Sequence, residues 1–169
     1  MAVEEPQPAP ETMPGLVRAL RLAGALGEPM KVVDSAVAET ERGFVGDRHA
    51  RRRPGHARQL LLVDEAELEL LQLPGGALKE NVLIRGIPLE SLEAGQRLHL
   101  GPEVVVELTG PCIPCSKLER IRPGLIGEAW GHRGQLARVV SGGTVQVGDA
   151  VRLGTVNPEA PRPIRPRLP

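Results

Sequence analysis

The sequence predicts a mainly β, barrel-like domain with a few short helices, and three observations carry that expectation. Short runs rich in Val and Leu recur along the body of the chain. Glycines separate them, which is how barrels and sandwiches punctuate their strands. Only one segment, after Asp64, carries a strong helical pattern with its own start and stop signals.

The strand candidates, in order, are Leu16–Arg21, Lys31–Ala38, Gln59–Val63, Val82–Ile84, Arg97–Leu100, Glu103–Leu108, Gln135–Val140, Thr144–Val147 and Ala150–Leu153. In the helix that interrupts them, Asp64 is placed to cap the first turn and Glu67 to close a capping box. Leu68, Leu70 and Leu71 are expected to supply its apolar face, and Pro74-Gly75-Gly76 to end it. The stretches Leu92–Gly101 and Val145–Gly154 echo each other: a glycine turn, a polar residue, then an alternating strand closed by a second glycine. Such alternation puts one face inward and one in water. The echo suggests one barrel corner built twice.

With 169 residues, a single domain is expected, covering roughly residues 15–154. Residues 1–14 hold four prolines and three glutamates, and 155–169 form a Pro/Arg-rich segment. Both read as tails, since such compositions bury too little apolar surface to offset ordering. The N-terminal residues lack the basic start and apolar run of a secretion signal. No apolar run is long enough to cross a bilayer. A cytoplasmic, reduced protein is expected, with no membrane partner.

Formal net charge is zero, so no global field draws the chain to nucleic acid. Phe44 and Trp130 are the only aromatic residues, too few to stack single strands, and no nucleic-acid partner is expected. The 21 basic residues are 18 arginines and three lysines. Arginine suits phosphate and carboxylate through its planar fork.

Both cysteines lie in one stretch, Pro111-Cys112-Ile113-Pro114-Cys115-Ser116-Lys117-Leu118-Glu119. Ser116 and Glu119 have capping-box spacing, so a helix is expected from Lys117, placing Cys115 at its positive end. Lys117, Arg120 and Arg122 add positive charge. Thiolates persist in such surroundings, so Cys115 is expected to be the reactive thiol. A thioredoxin-type pair lacks its βαβ context here, and structural zinc lacks ligands at finger spacing. The residues alone leave open a reactive or metal-binding thiol against two inert packing cysteines.

Three further groups could carry chemistry. Gly43–Gln59 concentrates five arginines and two histidines, an anion-binding composition. Arg48, His49 and Arg58 flank expected ordered elements there, while Arg51, Arg52 and Arg53 read as a solvated loop. Glu80-Asn81 opens a strand, where a structural role is favoured, though Asn81 could orient a ligand. Gly131-His132-Arg133-Gly134 is a tight turn whose Arg133 could reach an anion.

Gly43-Phe44-Val45-Gly46-Asp47-Arg48-His49, Glu80-Asn81, Pro114-Cys115 and Gly142-Gly143 through Gly148-Asp149, in that order, resemble the MOSC family. That family is named after the C-terminal domain of molybdenum cofactor sulfurases. The resemblance implies a β-barrel, a functional cysteine at Cys115, and either binding of molybdenum cofactor (molybdopterin) or carriage of sulfur as a persulfide. Some relatives reduce N-hydroxylated substrates with molybdenum held by the cysteine, which implies that Cys115 is the metal ligand. Asp47, Arg48, His49, Arg58, Asn81 and Arg133 would then hold the cofactor. A cysteine desulfurase or a molybdoenzyme is implied as partner, with an electron donor for a reductase; a non-catalytic binding module is the further alternative. Fused sulfurases add a pyridoxal phosphate lysine domain, and no such lysine site is expected in this chain. Cys112 lies outside the pattern and could act as a resolving thiol.

Overall fold

The computed structural model describes residues 13–160, so the tail residues 1–12 and 161–169 lie outside it. Eleven strands dominate the described residues. They are β1 (Gly15–Leu22), β2 (Lys31–Val33), β3 (Ser35–Glu39), β4 (Gly43–Phe44), β5 (Leu60–Asp64), β6 (Val82–Arg85), β7 (Gln96–Leu100), β8 (Val104–Pro111), β9 (Gln135–Ser141), β10 (Gly143–Gln146) and β11 (Ala150–Val156). Two short α-helices, α1 (Glu65–Leu70) and α2 (Leu125–Glu128), accompany three 3-10 turns at Arg48–Arg51, Leu89–Ser91 and Ser116–Arg120.

Seven strands, in the order β11-β7-β8-β9-β5-β6-β1, close into a barrel through pairing of β1 with β11 at Gly15–Val151 and Leu16–Ala150. Closure leaves no open sheet edge around the ring. The pairs are antiparallel except β5–β6, which is parallel with Leu62 beside Val82. A parallel pair needs a long crossover, and α1 lies in it. β2 hangs on β1, and β10-β3-β4 form a separate three-stranded sheet. The two echoing stretches are neighbours: β7 and β11 pair, with Leu100 opposite Val151 and Leu98 opposite Leu153.

β5 explains where the site lies. Leu60 and Leu62 point into the barrel with Leu20, Ile84, Leu98, Leu108 and Val139. Leu61 and Val63, on the opposite face, join Leu68, Leu71, Leu78, Cys112, Leu118 and Leu125 in a second core under the two helices. A strand buried on both faces reads as a continuous apolar run, as Leu60-Leu61-Leu62-Val63 does. Cys112 belongs to this second core, so the cysteine loop is clamped onto the outer face of the barrel.

Four expectations change. Lys31–Ala38 is two strands that part at Asp34, because β2 pairs with β1 whereas β3 pairs with β10. Leu70 is 62% exposed, since two residues along a helix rotates it about 200° from Leu68. Asp64 does cap α1 through the amide of Ala66, but Glu67 reaches His132 instead of completing a box. The Ser116 box is absent: the turn is a five-residue 3-10 helix with no side-chain cap. Glu119 instead accepts from the amides of Gly124 and Ile126, capping α2, and these two bonds hold its carboxyl below the ordinary value.

Candidate functional site

A cleft of about 550 Å³ opens where the start of β5, the loop after β8 and the turn before β9 converge. Arg48, Arg52, Arg58, Lys79, Lys117 and Arg133 line it together with His49, Cys112 and Cys115. Among the described residues, no Asp or Glu lines the cleft. In a chain without net charge, this segregation focuses positive potential on one concavity. His56, beside it, is held below the ordinary histidine value by desolvation and then by the charges of Arg52 and Arg58.

One wall is built around Asp47, which is 1% exposed. Its Oδ2 accepts from the amide of Ala23 at 2.6 Å and from Asn81 Nδ2 at 2.8 Å. Its Oδ1 accepts from the His49 amide and from His49 Nδ1, each at 2.8 Å. Burial pushes the carboxyl up, but the bonds from His49 and Ala23 outweigh it and leave the pKa lowered. A carboxylate is acceptor-only, so Nδ1 of His49 carries the proton and Nε2 is left for other partners. The carboxylate also starts the 3-10 turn at Arg48–Arg51 that carries Arg48 and His49.

Asn81 joins this wall to the barrel. Its Oδ1 accepts from the Leu61 amide at 3.0 Å, and its Nδ2 donates to the Arg21 carbonyl at 3.1 Å as well as to Asp47. With every donor and acceptor engaged, Asn81 holds the wall in place. The neighbouring Glu80 is fully buried, accepting from Arg21 at 3.2 Å and from the Gly76 amide. Two motifs 34 residues apart in sequence thus meet at one hydrogen bond.

Arg133 forms part of the other wall. Its Nε and Nη1 are buried and have no hydrogen-bond partner among the described residues. Leaving such donors unpaired costs about 1–3 kcal/mol or more each. Arg133 also lines the cleft, where its guanidinium is available to an acceptor-rich, anionic ligand. Arg58 extends over the same space, its Nη2 lying 4.0 Å from Cys112 Sγ.

The two thiols differ. Cys115 is exposed and Cys112 is buried. The segment between them carries no turn or bend. An extended run separates Cα atoms three residues apart by about 9–10 Å. A disulfide needs them within about 7 Å, so the backbone would have to move before Cys112 could resolve Cys115. Under native conditions an aromatic disulfide reagent is therefore expected to modify Cys115 about 100-fold faster than Cys112, as followed by absorbance and peptide mass. Equal rates would contradict the burial difference. Among the described residues no three His, Cys, Asp or Glu side chains gather into a metal-holding group. A metal at Cys115 would take its other ligands from a bound molecule.

The structure brings all the sequence-derived candidates together: Arg48, His49, Arg58, Asn81, Cys115 and Arg133 line the cleft, and Asp47 lies just behind it. It adds Arg52, which sequence composition assigns to solvent, and Lys79, whose left-handed backbone (φ 62°) has no sequence signature. Gln59, at the mouth of β5, also joins the lining.

Comparison with curated proteins gives no match. Among solved structures, the fold is similar to that of the YuaD protein from Bacillus subtilis, at TM-score 0.66 and 23% identity over 83% of this chain and 96% of that one. It is also similar to YiiM from Geobacillus stearothermophilus, with TM-score 0.69 and 16% identity over 87% of this chain and 78% of that one. YiiM from Escherichia coli gives TM-score 0.64 and 21% identity, covering 89% and 73% respectively. Among the described residues no helix is long and apolar enough to cross a membrane. The model of the MOSC domain matches residues 49–152, more than half of the sequence and most of the barrel, and the chain therefore belongs to the MOSC domain family.

Proposed function

We propose that the cleft binds a molybdenum cofactor, an anionic pterin-type molecule, with the Cys115 thiolate facing its metal. The observation that carries this reading is the coincidence, on one acid-free concavity, of an exposed thiol and a guanidinium with buried, unpartnered donors. The residues present fit such a group. Arg48, Arg133 and Lys117 offer charge-assisted donors for phosphate. His49 Nε2, oriented by Asp47, offers a partner for a ring heteroatom. A soft thiolate suits a sulfur-loving metal. When bound, the cofactor would supply redox chemistry; the chain's own part is to bind the anion, orient it and present the thiol.

Sulfur carriage is the second reading, and the exposure of Cys115 favours it, since a persulfide must be reached by donor and acceptor proteins. A cysteine desulfurase and a molybdoenzyme are the partners this reading needs. Reduction of N-hydroxylated substrates needs an electron donor instead. Protein purified from a host that makes the cofactor is expected to carry molybdenum and pterin in near-equal amounts, and protein from a host that cannot make it is expected to carry neither. A persulfide on Cys115 without pterin, by mass spectrometry, would replace the cofactor reading with the carrier reading. Neither species would leave a binding module. Turnover of a hydroxylamine with a supplied electron donor would identify a reductase.

A further inference from the structure

The turn that carries Arg133 is held from behind by two carboxylates that do not line the cleft. His132 Nδ1 donates to Glu67 Oε2 on α1 at 2.5 Å. The Gly134 amide donates to Glu90 Oε1, in the 3-10 turn at Leu89–Ser91, at 3.3 Å. The Gly134 carbonyl in turn accepts from the Cys112 amide at 2.9 Å. A Cβ on Gly134 would lie 2.5 Å from the Leu62 carbonyl, so the turn sits hard against β5. Among the described residues, Nε and Nη1 of Arg133 have no hydrogen-bond partner.

The charged groups facing Glu90 are Glu67 and Asp64 from α1 and its cap, with His132 from the turn, and the turn itself is tied to Glu90 through the Gly134 amide. Burial, and then the charge of Glu67, push the Glu90 carboxyl up to about 7, against the opposing effects of the Gly134 amide and His132. Glu90 therefore changes charge near neutrality, directly behind the turn bearing an unpaired guanidinium.

We propose that Glu90 is a positioning and charge-tuning residue for Arg133: when neutral it leaves that wall of the cleft purely cationic, and when ionised it weakens the hold on a bound anion. The proposal rests on the anion-binding reading of the cleft. Its sign follows directly. Anion affinity falls as pH rises through neutrality, because an ionised Glu90 places negative charge behind a cationic wall of the cleft.

Sulfate is a suitable probe, since it stays a dianion across this range. Calorimetric titration of the full chain from roughly pH 6 to roughly pH 8.5 is expected to show affinity falling about three- to tenfold in the wild type. Glu90→Gln keeps an acceptor for the Gly134 amide but no charge, and is expected to hold the acid-side affinity throughout. Glu90→Ala, which also frees the turn, should bind more weakly yet without that pH dependence. A Glu90→Gln protein with the wild-type pH slope would reduce Glu90 to a structural tie and overturn the proposal. Absence of sulfate binding by the wild type at any of these pH values would overturn the cleft reading and the proposal together.

Discussion

Replacing Asp47 by alanine is expected to destabilise the protein by about 3–5 kcal/mol, in the range for breaking a buried, hydrogen-bonded charge cluster. The cost has two parts. The Ala23 amide and Asn81 Nδ2 lose their acceptor in the interior, and unpaired buried donors cost about 1–3 kcal/mol each. The turn at Arg48–Arg51 also loses its cap, so Arg48 and His49 leave the cleft wall even where the chain stays folded. Asp47→Asn keeps the shape but turns one acceptor into a donor facing other donors, and should cost nearly as much. The pH dependence has a definite sign. The folded-state value is depressed from the ordinary 3.8, so the stabilisation is present above that value and is lost as pH falls through the lower, folded one. Denaturant melts of wild type and Asp47→Asn should therefore converge in acid. A constant difference at all pH values would mean that folding does not depress the Asp47 carboxyl.

What could be read from the sequence follows a physical division. Strand identity was legible because alternation and glycine spacing are local. Barrel closure was not, since the meeting of β1 with β11 joins chain segments more than 130 residues apart and leaves no local pattern. The Asp64 cap was legible for the same reason that the Ser116 box misled. Both are short-range rules, but Glu119 found stronger partners in the amides of the following helix. At the site, the MOSC-like pieces were visible as types in order. That Asp47 and Asn81 share a hydrogen bond, and that Arg133 has no partner at Nε and Nη1 among the described residues, are properties of the folded arrangement. Arg52 shows the limit of composition. In a run of three arginines, Arg52 is the one among the cleft-lining residues, and only the geometry of the loop selects it.

Substitution of Cys115 by serine carries the second large effect. The side chain is exposed, so stability should change by no more than about 0.5 kcal/mol. Chemistry should change far more. A hydroxyl is a poor soft ligand and a poor acceptor of sulfur, so turnover or sulfur transfer should fall to background, by about 100-fold or more. Cys112→Ser, within the second core, should do the reverse, disturbing packing and leaving the function largely intact. Retention of activity in Cys115→Ser, with loss in Cys112→Ser, would transfer the role to the buried thiol.

X-ray absorption at the molybdenum edge tests the role of Cys115 most directly, on wild-type and Cys115→Ser protein from a host that makes the cofactor. Pterin should be retained in both, held by the cations of the cleft. The serine variant should show one sulfur fewer in the first coordination shell of the metal. Identical coordination in the two proteins would contradict a site in which Cys115 is the metal's ligand.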